Sequence, residues 1–134
     1  MNELEAVVSE ANANTFAQQK CETHLNELEA VLKLRDALDA KFAKDIVVLD
    51  LHEVSPIADY FVIATGQSSP QLMSLQDTAE ETLNSLGFKL SHIEGQRSAA
   101  WILLDYGSII VHLFDKESRE YYNLEHIWGD AEKI

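Results

Sequence analysis

The chain has 134 residues, with 10 basic against 23 acidic side chains and a net charge of −13. Its long-range field therefore repels phosphate backbones and argues against direct nucleic-acid binding. No run approaches the roughly 20 apolar residues of a membrane helix. The opening Met1-Asn2-Glu3-Leu4-Glu5 lacks a basic flank, an apolar signal core and Arg/Ser-rich transit character. One domain with an ordinary core, cytoplasmic and without a membrane partner, is the expectation.

Residues 1–44 contain no Gly or Pro and are rich in Ala, Leu, Glu, Lys and Gln, the composition of helices. Thr15-x-x-Gln18 has the form of a capping box, and Leu28, Val31, Leu32, Leu38 and Phe42 recur at helical spacing. One long helix, or two with a break near Asn12 to Asn14, follows. Asn2-Glu3-Leu4-Glu5-Ala6-Val7 recurs as Asn26-Glu27-Leu28-Glu29-Ala30-Val31, but one short repeat does not make a solenoid.

At Asp45 the period changes. Residues 46–51 are apolar and short enough for a buried strand, residues 53–59 turn the chain, and residues 60–65 make a second strand closed by Gly66. Ser69 is placed to cap a helix with Pro70 at its first position, Leu72, Leu75, Ala79, Leu83 and Leu86 form its apolar stripe, and Gly87 supplies the left-handed stop. Residues 88–93, 100–105 and 109–114 read as three further strands, the last two joined as a hairpin through Tyr106-Gly107. A final helix is expected over residues 116–128. This order predicts a single α/β domain with a mixed sheet of about five strands flanked by helices.

Candidate chemistry is sparse. Thr65-Gly66-Gln67-Ser68-Ser69 leads from a strand into a helix N-terminus, where free N–H groups can hold a phosphate. A capped helix start explains the same residues. The five histidines, His24, His52, His92, His112 and His126, show no zinc spacing, and lone Cys21 has neither a disulfide partner nor an activating neighbour. No nucleophile elbow is present. No catalytic, metal or cofactor residue is therefore assigned. Trp101 follows the polar loop at 94–99 and is either core or a rim aromatic of the kind that concentrates binding energy. Tyr106 sits at a hairpin turn, where solvent is the usual neighbour. On the last helix Tyr121, Leu124 and Trp128 share one face, with Tyr122 and Glu125 on an adjoining one. Leu124 and Trp128 read as structural; Glu125 and one tyrosine remain for a basic partner. Glu94, Asp105 and Glu125 are the acids suited to pairing with Lys or Arg, and each is equally a solvated or turn residue.

A resemblance adds to this reading. Glu94-Gly95-x-x-x-Ala99-x-Trp101, Leu104-Asp105-Tyr106-Gly107, Val111-His112-x-Phe114 and Arg119-x-x-Tyr122-x-Leu124-Glu125-x-x-Trp128 are similar to the signature of the ribosomal silencing factor (RsfS, iojap-like) family. Residues 45–50, 58–66 and 68–69 fit it in the same order, so the match runs from about 28 to 130 and spans several separate motifs. The resemblance implies a fold like that of nucleotidyltransferases. The paired metal-binding carboxylates of those enzymes are missing from residues 88–94. It also implies a non-enzymatic factor that docks on the large ribosomal subunit through its fourteenth protein and blocks joining of the small subunit. Trp101 and Tyr106 would anchor, with Tyr122, Glu94, Asp105 and Glu125 around them. Residues 1–24 then read as a helical extension before a domain at 25–134, and the same patch could close a homodimer in the free state. The rival reading is a nucleotide-binding or nucleotidyl-transferring enzyme on the same sheet.

Overall fold

The structure, a computed structural model, describes residues 24–96 and 100–134. Apart from His24, the extension expected over residues 1–24 lies outside them, as do Cys21 and the Arg97-Ser98-Ala99 part of the loop. Helix α1 (His24–Ala40) leads into β1 (Lys44–Asp50) and β2 (Tyr60–Thr65), followed by α2 (Ser69–Ser85). Three strands come next, β3 (His92–Glu94), β4 (Trp101–Asp105) and β5 (Ile109–Phe114), then two short helices, α3 (Lys116–Tyr122) and α4 (Leu124–Ile127), and β6 (Glu132–Lys133).

The sheet has six strands in the order β3-β4-β5-β2-β1-β6. Its one parallel pair lies at the centre, Tyr60 opposite Ile109 through Thr65 opposite Phe114. Every residue of both these strands is buried, as their unbroken apolar runs require. On one face α1 and α2 lay Val31, Leu34, Leu38, Leu72, Leu75 and Leu83 against the sheet. Phe61, Leu103, Ile110 and Phe114 point to the other face, where Leu124 covers them and Trp101 and Trp128 pack at the edge. The expected structural roles of Leu124 and Trp128 agree with this packing.

Where expectation and structure differ, the causes are local. The α2 cap is Ser68, which accepts the Gln71 N–H, so Pro70 stands one position further in than expected. Phe42 does not extend the stripe of α1; it adopts a left-handed φ of 66° and is 77% exposed. The strand expected from residue 88 begins only at His92, although Phe88 and Leu90 still pack on the core. The helix expected over 116–128 is broken at Asn123, which takes a left-handed φ of 46°. A sixth strand of two residues, β6, pairs with the free edge of β1.

Candidate functional site

Strand alternation decides which side chains can meet. In β4 the residues Trp101, Leu103 and Asp105 share the face of α3 and α4, while Ile102 and Leu104 point toward α1 and α2. Glu94 stands opposite Leu103 and His92 opposite Asp105, so both lie on the Trp101 face, where His92 Nε2 and Glu94 Oε1 are 2.6 Å apart. Tyr106 continues the alternation to the far side. It is completely buried in the α1/α2 core, its pKa pushed up to about 12 by burial and then by Glu80 of α2. Solvent is therefore not its neighbour, and Trp101 is on the opposite side of the sheet. Asp105 is also fully buried, its Oδ1 accepting the Gly107 N–H at 2.7 Å to close the hairpin. Neither residue presents a surface to a partner: the turn is folded under, because Tyr106 follows the strand's period rather than leaving it.

What remains on the Trp101 face is a column of rings running from core to solvent. The buried His112 meets the edge of Phe61 at 4.5 Å and lies parallel to Phe114. Trp101 stacks on Phe114 at 5.0 Å and touches Tyr122 at 4.5 Å. Tyr122 in turn meets Tyr121, which is 77% exposed. The inner end is fixed by a hydrogen bond, the Trp101 indole N–H donating to His112 Nδ1 at 3.1 Å. Because an indole nitrogen can only donate, His112 carries its proton on Nε2. Trp101 is thus half core and half rim, and both sequence readings of it describe part of one residue.

Arg119 holds the outer helices in place. It donates from Nε to Glu125 Oε1 at 2.7 Å and from a terminal nitrogen to Thr65 Oγ1 at 2.8 Å, tying α3 and α4 to the end of β2. Glu125 is consequently engaged within the chain, whereas Glu94 is exposed. Replacing Arg119 by Ala leaves Glu125 and Thr65 facing a gap, and should lower stability by about 2–3 kcal/mol in urea unfolding. Lys should not restore it, because one ammonium cannot reproduce the two directions of the guanidinium.

The buried pair His112 and Asp105 predicts an acid response. Burial pushes the His112 pKa down to about 3, so between about 6.5 and 3 the unfolded chain binds a proton that the folded chain refuses, and stability falls as pH drops. Asp105 works in the opposite sense. Burial raises its pKa to about 6, against the Gly107 hydrogen bond and the His92 charge, so it favours the fold at low pH and that contribution fades as pH rises from about 4 to 6. The two slopes offset one another between pH 4 and 6. Asp105→Asn should therefore steepen the acid loss in that window by up to about 1.4 kcal/mol per pH unit, read from urea midpoints across pH. A parallel curve for the two proteins would contradict this.

At the β2–α2 turn most of the backbone donors that a phosphate would need are taken. Gly66 N–H goes to Phe114 O, Gln67 N–H to Gln71 Oε1, Gln71 N–H to Ser68 Oγ and Leu72 N–H to Ser68 O. A Cβ on Gly66 would come within 2.8 Å of the Leu72 side chain. Gly66 is there to let helix and strand close on each other.

A family model described as ribosomal silencing factor during starvation matches residues 24–134. The chain belongs to the ribosomal silencing factor family. A Bacillus subtilis ribosomal silencing factor RsfS is 39% identical over 104 residues, 77% of this chain and 88% of that protein. A crystal structure of a Chromobacterium violaceum protein superposes with a TM-score of 0.73 at 30% identity, covering 76% of this chain and 85% of the other. A mouse protein named mitochondrial assembly of ribosomal large subunit protein 1 is 33% identical over 89 residues, 64% of this chain and 39% of its own length. Among the described residues no helix of this silencing factor family member is long and apolar enough to cross a membrane.

Proposed function

We propose that this chain docks on the large ribosomal subunit through its fourteenth protein, in the cytoplasm, and blocks approach of the small subunit by occupying its space. Family membership and the names of the relatives support a ribosomal partner, and the mouse relative's name points to the large subunit. The observation that carries the docking reading is the ring column ending in half-buried Trp101 and exposed Tyr122 and Tyr121, beside the exposed carboxylate of Glu94. Aromatic anchors rooted in a packed core lose little freedom on binding, which is how a few residues come to hold most of an interface. A net charge of −13 favours a basic protein over bare RNA and speeds the encounter.

No chemical step enters this account. The chain acts by binding, over an interface of about 1,600 Å² in total if it is of standard size. Trp101, Tyr122 and Glu94 make the contact, joined by Tyr121. Glu125 acts through Arg119, and Asp105 and Tyr106 shape the hairpin from within. The free chain can present the same rings to a second copy, so a homodimer would compete with docking.

Titration of the purified fourteenth protein tests this reading. Tyr121 touches Tyr122 and is otherwise largely in water, so Tyr121→Ala should weaken binding about tenfold while leaving the melting temperature within about 1 °C. Unchanged affinity in both Tyr121→Ala and Tyr122→Ala would remove the ring column from the interface.

A further inference from the structure

Beneath the ring column, packing alone does not call for a histidine. His112 stands in β5 between Ile63 of β2 and Leu103 of β4, in a strand otherwise made of Ile, Val, Leu and Phe. It is completely buried, and burial keeps the ring neutral, with a pKa of about 3. Its Nε2 has no hydrogen-bond partner among the described residues. The Trp101 bond places the proton on that nitrogen, so a buried N–H is left facing rings, and Phe61 at 4.5 Å is at most a weak acceptor. An unmade buried donor costs more than one neutral hydrogen bond returns. His112 therefore destabilises the sheet relative to an aliphatic residue of its size.

What His112 supplies is direction. Trp101 lies against Phe114 at 5.0 Å, with 28° between the ring planes, and against Tyr122 at 4.5 Å. Stacking of this kind sets the plane of an indole but not which of its edges points inward, and the torsion that turns the ring over has two broad minima. The indole carries a single N–H, and here that N–H is spent inward, on His112 Nδ1 at 3.1 Å. One β4–β5 register, with Trp101 opposite Phe114 and Leu103 opposite His112, holds donor and acceptor on the same face. With no acceptor beneath it, a half-buried indole would turn its N–H to water rather than leave it unmade.

We infer that His112 is a positioning residue for docking: it holds the Trp101 indole with its N–H inward, so that the partner meets the apolar edge of the ring in one fixed orientation. The inference rests on the docking reading above. It gives the histidine to binding rather than to folding, and it makes a specific claim about the two quantities together. Stability and affinity should respond in opposite senses to what stands at position 112.

Titration of the purified fourteenth protein with two full-chain variants, beside their melting temperatures, tests this. His112→Leu should melt at or above the temperature of the unsubstituted chain and bind about fivefold more weakly. His112→Asn keeps an acceptor oxygen near the place of Nδ1, so it should recover most of the affinity while melting about 5 °C or more below His112→Leu. A residue that served packing alone would move affinity and stability in the same direction. Retained affinity in His112→Leu, or no recovery in His112→Asn, overturns the inference and leaves the docking reading standing. No binding by the unsubstituted chain overturns the docking reading, and the inference with it. Should either variant fail to fold, NMR exchange of the Trp101 indole proton in the unsubstituted chain decides, the resonance being identified by its absence from Trp101→Phe. Slow exchange, both free and in the complex, supports the inference; exchange as fast as that of an exposed indole, or loss of protection on binding, overturns it.

Discussion

Trp101→Ala should lose both stability and docking, by separable amounts. Removing the indole takes the stacking partner from Phe114 and Tyr122 and the donor from His112 Nδ1, which is left buried without it. The cavity and the orphaned acceptor together should cost about 3 kcal/mol in urea unfolding. Loss of the rim half of the ring should weaken binding to the fourteenth large-subunit protein about 30-fold, equivalent to roughly 2 kcal/mol, when measured well below the unfolding midpoint. Trp101→Phe keeps most of the stacking and lacks only the hydrogen bond, so it should recover more than half of the lost stability. If Trp101→Ala lost stability alone, with affinity intact in the folded fraction, the residue would belong wholly to the core. A loss of affinity alone would contradict the hydrogen bond to His112.

The second large effect is expected at Gly95, immediately after β3. Its φ is +84°, and a Cβ there would lie 1.8 Å from the Trp101 carbonyl oxygen. A side-chain neighbour could turn away, but this is backbone at the start of the β4 ladder, where Trp101 pairs with Phe114. Gly95→Ala must therefore separate β3 from β4 or shift Trp101 out of the ring column, at a cost of 3 kcal/mol or more by order of magnitude. A red-shifted tryptophan emission and faster amide exchange at Ile93 and Leu104 should accompany it. Gly87 is the control. It too has a positive φ, 92°, but a Cβ there meets nothing within 4 Å, so Gly87→Ala should cost only about 1 kcal/mol. Equal effects at the two glycines would show that the close approach to Trp101 is not what constrains position 95.

Gly95 also explains part of the sequence signature in physical terms. The Glu-Gly pair ahead of Trp101 needs a residue without a side chain so that two backbones can touch. The central strands were legible because continuous apolar runs are what a doubly covered strand requires, and α2 was legible from its stripe and its ends. The misplaced cap, one residue off at Ser68, reflects two adjacent serines before Pro70, either of which has the chemistry. Strand β6 gave no signal: Glu132 and Lys133 join the sheet through backbone atoms, helped by Ile134 N–H donating to Val48 O. The break at Asn123 was readable in principle, since Asn tolerates the left-handed conformation, but it lies within an otherwise continuous helical pattern.

The placement of the candidate residues in the fold was legible in part. Trp101, Tyr122 and Glu94 lie on one face, and Glu125 lies beside them as Arg119's partner. Tyr106 was given to solvent from the general exposure of turns, against the two-residue alternation of β4, which already directed it to the α1/α2 side, whereas Asp105, open to either a partner or a turn role, is buried in the turn role. The link from Trp101 to His112 could not be read from either residue alone. It depends on the β4–β5 register, which sets Trp101 opposite Phe114 and brings His112 diagonally within reach.

Sedimentation of the full chain with large subunits, small subunits and the reassociating mixture, at several salt concentrations, bears most directly on the proposed function. The predicted result is co-migration with large subunits alone, fewer joined particles as the chain is added, and loss of both effects in Trp101→Ala. Migration with neither subunit, or co-migration that leaves joining undiminished, would contradict it.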